Sequence, residues 1–338
     1  MTHSSRRSFL QNGLFTVAGA AAGAALVARP VTAAESSKAA AAGNAETHTT
    51  ASDPWAPLKV IDTNNMDWEP GRAWERKMLF DAGENRSHIM LITVGPGWTG
   101  IPSHYHEFHE WVYFLSGDMI SNEYFSPQNK TGALTVYREG HWLDRPAYSL
   151  HGLNPGQVSS QMGSTLLIQE ESLGNFGVVP GGANYDEVYK EVEQFSMPRI
   201  VDTVEDMVWQ DVEDVDGLKV KRLSDGPGRG FRAHLLWLPA GWSSDRAPDY
   251  AKPYYYEEAR EFNYVLYGNM ALQAYAAPGE PAERMEVGPN YYFERAPQCI
   301  FGLADGIVTE NSCVWLQVTY ANRDAVVSPA PIEDRITV

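Results

Sequence analysis

The chain from residue 55 onward contains two loosely similar copies of one unit. Three segments of the first copy recur in the second: 60–63 (VIDT) as 200–203 (IVDT), 97–98 (GW) as 241–242 (GW), and 110–117 (EWVYFLSG) as 261–268 (EFNYVLYG). The segments keep their order and similar spacing, which a chance similarity would not do. The sequence therefore predicts a duplicated fold made of two like lobes.

Each copy consists of short segments of alternating or continuous apolar residues with turn residues between them. Strands are predicted at residues 88–94, 111–115, 133–137 and 164–168. The only clear helical pattern, at residues 185–195, joins the two copies. Many short strands separated by turns are typical of all-β sandwiches and barrels, so we expect two β-barrels in one chain.

The N-terminus has the composition of an export signal. Residues 5–10 (SRRSFL) precede a weakly apolar stretch, 13–27, and the small residues 31–34 (VTAA) suit a signal peptidase. This segment resembles a bacterial twin-arginine (Tat) signal, which implies export in the folded state by the Tat translocase to a periplasmic or secreted location. The apolar stretch is short for a membrane span, so no membrane contact is expected of the mature form, and a retained anchor is the alternative.

Charge and cysteine content exclude several classes of function. The chain has 43 acidic and 26 basic residues, a formal net charge of −17, which disfavours nucleic acid and anionic membranes as partners. The two cysteines, Cys299 and Cys313, are too few for a Cys-rich zinc site. The sequence leaves open whether they form a disulfide or remain free thiols.

Five of the nine histidines lie between residues 104 and 151. His104 and His106 are two residues apart, so on a strand their side chains face the same side. Glu110 follows soon after, and His151 comes from a distant segment. Three imidazoles and one carboxylate suit Fe, Mn, Ni, Cu or Zn, with coordination positions left for water or substrate.

The two histidine-containing segments resemble the signatures of the cupin superfamily. Residues 104–117 match the first signature, His-x-His-x3-Glu-x6-Gly, although the interval from Gly100 to His104 is short. Residues 140–154 are similar to the second signature, with Tyr148 at a position that is usually glycine and Asn154 one residue early. The resemblance covers both copies and implies a bicupin, that is, two tandem jelly-roll (double-stranded β-helix) barrels.

The second copy lacks the metal ligands. Aligning Glu261 on Glu110 places Tyr255 and Glu257 at the positions of His104 and His106. The segment 301–303 (FGL) then matches 151–153 (HGL). We therefore expect a degenerate, structural second lobe, with an oxygen-ligand site of Glu257 and Glu261 as the alternative.

Other residues near the motif are expected either to line the pocket or to lie outside it. Val112 and Phe114 share the strand face of Glu110 and are expected to line a dry pocket, as is Tyr148. His109 points to the opposite face and is interpreted as a surface or supporting residue. His141 lies in a turn and is expected to be solvated.

The predicted division of the chain follows from these observations. It consists of a Tat signal at 1–34, a flexible linker at 35–54, a metal-binding cupin at 55–183, a helical connector at 184–196, a degenerate cupin at 197–322 and a tail at 323–338.

We expect one divalent transition metal per chain. Fe or Mn is favoured because a protein that folds before export can take its metal in the cytoplasm, and Ni, Cu or Zn remain open. The expected function is that of an oxidoreductase, a dioxygenase-like enzyme acting on a small phenolic or enolic substrate. A metal-dependent isomerase, lyase or decarboxylase that does not use O₂ is one alternative, and a non-enzymatic metal- or ligand-binding bicupin is another. The sequence leaves a homo-oligomer open.

Overall fold

A computed structural model describes residues 56–71, 74–84, 86–126, 132–153, 156–172, 176–178, 196–225, 230–276 and 280–338. The predicted export signal, linker and connecting helix at 185–195 lie outside these residues. Among the described residues, no helix has the length and apolar character needed to cross a membrane.

The regular secondary structure of the described residues is almost entirely β-strand, as the sequence predicts. The strands of the first half are β1 (Lys59–Asp62), β2 (Glu69–Pro70), β3 (Glu75–Asp81), β4 (His88–Val94), β5 (His104–His106), β6 (Glu110–Glu123), β7 (Ala133–Arg138), β8 (His141–Arg145), β9 (His151–Gly152), β10 (Ser164–Glu170) and β11 (Phe176–Val178). The strands of the second half are β12 (Arg199–Asp202), β13 (Gln210–Asp211), β14 (Lys219–Asp225), β15 (Phe231–Leu238), β16 (Tyr254–Tyr255), β17 (Arg260–Tyr267), β18 (Met270–Ala274), β19 (Glu283–Val287), β20 (Tyr291–Arg295), β21 (Phe301–Leu303), β22 (Cys313–Tyr320) and β23 (Ile336–Thr337). Short helices cover Thr63–Asn65, Ser244–Arg246 and Pro248–Ala251.

The long strand β6 organises the first lobe. Its first half pairs with β8 on one side and β10 on the other, and β10 continues through β4 to β3. Its second half pairs with β7 and β9, and β9 continues to β5. Because one strand belongs to both sheets, the two sheets enclose a barrel whose apolar core includes Met90, Val112 and Leu166.

The second lobe has the same strand arrangement. Strand β17 lies between β20 and β22, and β22 continues through β15 to β14. A second sheet is formed by β19, β18, β21 and β16, with β23 from the chain end on its edge. The duplication predicted from the sequence is therefore a duplication of topology.

The two lobes exchange strands. Strand β1, near the start of the first half, pairs with β20 of the second lobe. Strand β12, at the start of the second half, pairs with β8 of the first. Each barrel therefore completes one sheet with a strand from the other half of the chain.

A shared apolar core lies between the lobes. It combines Leu79 and Trp111 of the first lobe with Phe231 and Phe262 of the second. The Trp111 indole Nε1 donates a hydrogen bond of 2.6 Å to the Tyr320 hydroxyl across this interface. Full burial of a Leu or Phe side chain contributes roughly 1.5–3 kcal/mol, so the exchanged strands and this core couple the two lobes.

The glycines that end the repeated segment occupy equivalent turns. Gly117 and Gly268 have φ angles of +78° and +72°. A Cβ atom at either position would lie 1.9 Å from a backbone carbonyl oxygen, that of Gly163 or Ser312. These turns therefore require glycine for conformation and for space.

Cys299 and Cys313 are buried free thiols in the core of the second lobe. Burial raises the pKa of Cys299 to about 11 and that of Cys313 to about 12. The structure therefore favours the free-thiol alternative and gives both cysteines a packing role.

Candidate metal centre

Three buried histidines meet inside the first barrel. His104 and His106 project from the same face of β5, because side chains two residues apart on a strand share a side. His151, on the neighbouring strand β9, pairs directly with His104. The second histidine motif therefore joins the first through strand pairing, although His151 follows His106 by 45 positions along the chain.

The ring geometry is that of a convergent donor set. The ring centroids of His104 and His151 are 4.2 Å apart, and each lies 5.0 Å from the centroid of His106. One ring nitrogen from each histidine lies within 4.8 Å of the others. Metal–nitrogen bonds of about 2.0–2.1 Å need this kind of spacing.

Backbone carbonyls fix the orientation of two of these rings. The carbonyl oxygens of Pro102 and Ser149 lie 2.8 Å from His104 Nδ1 and 3.0 Å from His151 Nδ1. A carbonyl only accepts hydrogen bonds, so each Nδ1 is the protonated nitrogen and each Nε2 carries the lone pair. This is the arrangement that prepares an imidazole to bind a metal.

Burial keeps the same two rings neutral. It lowers the pKa of His104 to about 4, with the adjacent His106 adding to the effect and the Pro102 carbonyl opposing it. Burial, followed by the charge of Arg145, also lowers the pKa of His151. Neutral imidazole is the form that binds metals, so these two ligands are preformed at neutral pH.

Glu110 is held by a buried arginine. Its Oε1 accepts a hydrogen bond of 2.5 Å from Arg145 Nη1, while its Oε2 lies 3.5 Å from His106 Nδ1. Burial alone would raise the pKa of Glu110, but Arg145 and His106 lower it below its ordinary value. Glu110 is therefore a carboxylate with one oxygen committed to Arg145 and the other directed to the histidines.

Two further residues complete this ionic chain. Arg145 Nη2 donates to Glu123 Oε1 at 2.5 Å, and the Tyr137 hydroxyl donates to the same oxygen at 2.7 Å. Burial disfavours the charged guanidinium, yet Glu123 and Glu110 outweigh it and raise the pKa of Arg145. Arg145 therefore stays a cation between two carboxylates.

A third buried carboxylate faces the same space. Oxygen and nitrogen donors of His106, Glu110 and Glu170 lie within 4.8 Å of one another, forming a second donor triad that shares His106 with the first. Glu170 Oε2 is 2.8 Å from Nε2 of the fully buried His88.

The sequence interpretation missed Arg145, Glu123 and Glu170. Glu170 carried a signal, because Leu166, Ile168 and Glu170 alternate on one face of β10 and all line the barrel cavity.

The charges of the cluster test whether a cation fits. Glu110, Glu123 and Glu170 are buried with a single guanidinium, that of Arg145, among them. Three carboxylates therefore share one guanidinium, and their other nitrogen neighbours are imidazoles. Buried charges are costly unless they are paired or bind a metal. The residues present therefore fit one divalent cation bound by imidazole and carboxylate.

The site opens into a mostly apolar cavity of about 120 Å³. Val112 and Phe114 line it, on the face that the alternation predicts. Tyr148 does not line it, which corrects the prediction. Tyr148 lies in the turn before β9 with a φ of +66°, and its backbone N–H donates to the His106 carbonyl. A left-handed turn explains why glycine is usual at this position in the signature.

His109 and His141 lie outside the cavity. His109 points away from Glu110, as predicted, but it is buried between the lobes and its Nε2 is 2.7 Å from Asp144 Oδ1. His141 is the half-buried first residue of β8, directly after the turn, and its Nδ1 is 3.1 Å from the Arg138 carbonyl oxygen. Neither belongs to the donor groups of the described residues.

The second lobe has aromatic residues at the positions of the three histidines of the first. Strand pairing sets Tyr254 opposite Phe301, as His104 is opposite His151. The equivalent of His104 is thus Tyr254, one residue from the Tyr255 predicted by alignment. By the same register Tyr256 replaces His106, since its carbonyl accepts the turn N–H of Gln298 as the His106 carbonyl accepts that of Tyr148.

The Arg295 guanidinium lies between the aromatic rings of this second site. Its carbon Cζ lies 3.6 Å from the Tyr254 ring centroid and 3.5 Å from that of Phe301. Its Nε is 3.6 Å from Glu261 Oε1. Glu257 is exposed, and neither Glu257 nor Glu261 belongs to a metal-donor group of the described residues.

Two cupin barrels in one chain, with strand exchange between them, define the bicupin fold. Solved structures with a similar fold include a variant of oxalate decarboxylase from Bacillus subtilis, with a TM-score of 0.53 and 10% identity over 84% of this chain and 80% of that one. Another is oxalate decarboxylase from Lactobacillus farciminis in a formate complex, with a TM-score of 0.52 and 9% identity over 82% and 88% of the two chains. No protein-family model and no curated protein matches the chain.

The neutral state of two ligands predicts a shallow pH dependence of metal binding. Three ordinary imidazoles with a pKa near 6.5 would weaken binding about a thousandfold between pH 7.5 and 5.5 through proton competition. The low pKa values of His104 and His151 remove most of this competition, which for His104 starts only near pH 4. We expect the Co²⁺ dissociation constant, measured by competition titration, to rise about tenfold or less. A thousandfold rise would contradict this description of the ligands.

Proposed function

We propose that this chain is a metal-dependent bicupin enzyme with one divalent metal in the first lobe, bound by His104, His106, His151 and Glu110. The observation that carries the proposal is the buried three-histidine donor set beside an excess of buried carboxylate. Fe or Mn remains the favoured metal, because a chain that folds before export can take its metal in the cytoplasm.

A bound divalent metal supplies Lewis acidity that polarises a carbonyl or carboxyl oxygen of a substrate. The chain's own residues prepare the site for this chemistry. Arg145 holds Glu110 in place, and the apolar walls at Ile92, Phe114 and Leu166 exclude water. Exclusion of water strengthens every electrostatic interaction within the cavity.

The cavity supports a small, largely apolar substrate with a single metal-binding oxygen group. Because Arg145 already binds the carboxylates of Glu110 and Glu123, its charge is not available to a second anionic group. Glu170 would repel such a group as well. A compact monocarboxylic keto acid or an enolisable compound meets these conditions better than a dianion.

Among reaction classes, we propose a lyase or decarboxylase that does not consume O₂. The bicupin fold is shared with the oxalate decarboxylases, which favours this class over the dioxygenase expected from the sequence. An oxygenase acting on a phenolic compound is the second candidate. The apolar cavity with Trp98 and Phe114 in its wall favours it, since both an aromatic ring and O₂ partition into apolar surroundings.

Simultaneous measurement of CO₂ release and O₂ uptake separates these two candidates. The natively purified chain would be tested against small keto acids and phenols, with His106→Ala as the inactive control. We expect CO₂ release or isomerisation at an unchanged O₂ concentration. Stoichiometric O₂ uptake with a phenol would favour the oxygenase, and absence of any turnover would favour a ligand-binding bicupin.

Ligand substitutions test the proposed metal stoichiometry. We expect one metal per chain by elemental analysis of protein purified without added metal. His106→Ala and His151→Ala should each lose most of it, because a cage with fewer donors binds far more weakly. His141→Ala, outside the cavity, and Glu261→Gln, in the second lobe, should retain it. Full metal content in His151→Ala would overturn the two-motif site.

We also propose that the Tat translocase exports the chain, on the basis of residues 5–34. Replacing Arg6 and Arg7 by lysine should leave the protein in the cytoplasm, because the translocase reads that pair. Arg29→Lys, outside the pair, is the matched control and should be exported normally. Fractionation and immunoblotting measure both. Periplasmic accumulation of the Arg6/Arg7 variant would reject the assignment.

A further inference from the structure

Four residues cross the first barrel in one row, one from each of four adjacent strands. From β8 through β6 and β10 to β4, the paired residues are Arg145, Glu110, Glu170 and His88. Residues that are directly paired across neighbouring strands project to the same face. The row therefore places Glu170 beside Glu110, with its side chain on the cavity side.

Glu170 has the environment of a metal ligand. Its residue is buried, and its carboxylate lies within donor distance of His106 and Glu110. His88 Nε2 lies 2.8 Å from Oε2 of this carboxylate. Ligating carboxylates are commonly oriented by a hydrogen bond of this kind.

Arg145 pairs with only one of the two carboxylates, Glu110 and Glu170. Arg145 withdraws charge from Oε1 of Glu110 through a short charge-assisted hydrogen bond. Glu170 has no arginine partner among the interactions of the described residues, and its contact is to an imidazole. Glu170 is thus the carboxylate with the less compensated charge, and a cation placed beside His106 would attract it.

The equivalent row of the second lobe supports a link between this carboxylate and the histidines. From β20 through β17 and β22 to β15, the paired residues are Arg295, Glu261, Thr319 and Arg232. The lobe without histidines keeps the first carboxylate, Glu261, but has Thr319 where the first lobe has Glu170. Glu170 therefore occurs in the lobe that has the three histidines and has no counterpart in the lobe that lacks them.

We infer that Glu170 is a second carboxylate ligand of the metal, which makes the site one of three imidazoles and two carboxylates. This inference rests on the proposed metal site of the first lobe. One divalent cation then compensates the carboxylate charge that Arg145 alone does not balance. A second oxygen ligand also favours Mn²⁺ and Fe²⁺ over softer ions, because carboxylates are harder ligands than imidazoles.

Titration of metal-free protein with Co²⁺ tests the inference without any assay of activity. The visible spectrum of Co²⁺ reports coordination number, and competition with a chelator gives its affinity. In Glu170→Gln, we expect at least tenfold weaker binding and more intense absorption bands, as coordination number falls. Glu107→Gln is the matched control, because Glu107 follows the ligand His106 but its side chain is exposed. Its affinity and spectrum should equal those of the unmodified chain.

Two further variants, Glu170→Asp and His106→Ala, separate a failure of this inference from a failure of the proposed metal site. If Glu170→Gln does not fold, Glu170→Asp keeps the charge but shortens the reach, and the same weakening and spectral change are expected. Unchanged affinity and spectrum in the folded Glu170 variant, with binding abolished by His106→Ala, would overturn the inference and leave the metal site standing. Binding that survives His106→Ala would instead reject the proposed metal site itself.

Discussion

The excess of buried negative charge in the first lobe is the constraint on which the proposed site depends. Glu110, Glu123 and Glu170 lie inside one barrel, where a single guanidinium, that of Arg145, pairs with the first two and leaves more carboxylate than positive charge. An unpaired charge in such surroundings costs several kcal/mol. A divalent cation beside His106 removes that cost, and the carbonyls of Pro102 and Ser149 already orient two imidazoles to bind it. The charge balance and the ring orientation therefore favour the same ion at the same place.

In the second lobe, an arginine side chain supplies the positive charge beside the buried carboxylate. It keeps the carboxylate of Glu261 and places the Arg295 guanidinium between the rings of Tyr254 and Phe301. These aromatic residues stand where the first lobe has His104 and His151. Stacking of a cation on aromatic faces is favourable when the cation is desolvated. A covalently attached cation thus lies inside this barrel. The lobe contributes strand exchange and the shared core to the stability of the other.

The barrels and the clustered histidines could be predicted from the sequence because each has a local sequence pattern. Short alternating strands and a repeated segment predict the fold, and the spacing of His104 and His106 predicts a shared face. The presence of Arg145, Glu123 and Glu170 at the site could not be predicted, because their proximity depends on strand register, which no single segment encodes. The shift from Tyr255 to Tyr254 has the same cause: one residue of register reverses which side chains face the cavity. Tyr148 was wrongly predicted to line the cavity. Its backbone conformation, and not its ring, corresponds to the glycine of the signature. The exchange of β1 and β12 is a long-range pairing without a local pattern.

Crystallographic location of the metal tests the central claim most directly. Protein purified without added metal would be crystallised, and anomalous difference maps would be measured above and below the absorption edges of Mn and Fe. The proposal predicts one strong peak per chain, in the first lobe, between the imidazoles of His104, His106 and His151. A peak in the second lobe near Glu261, or density for water alone among the three imidazoles in a crystal whose protein contains stoichiometric metal, would contradict it.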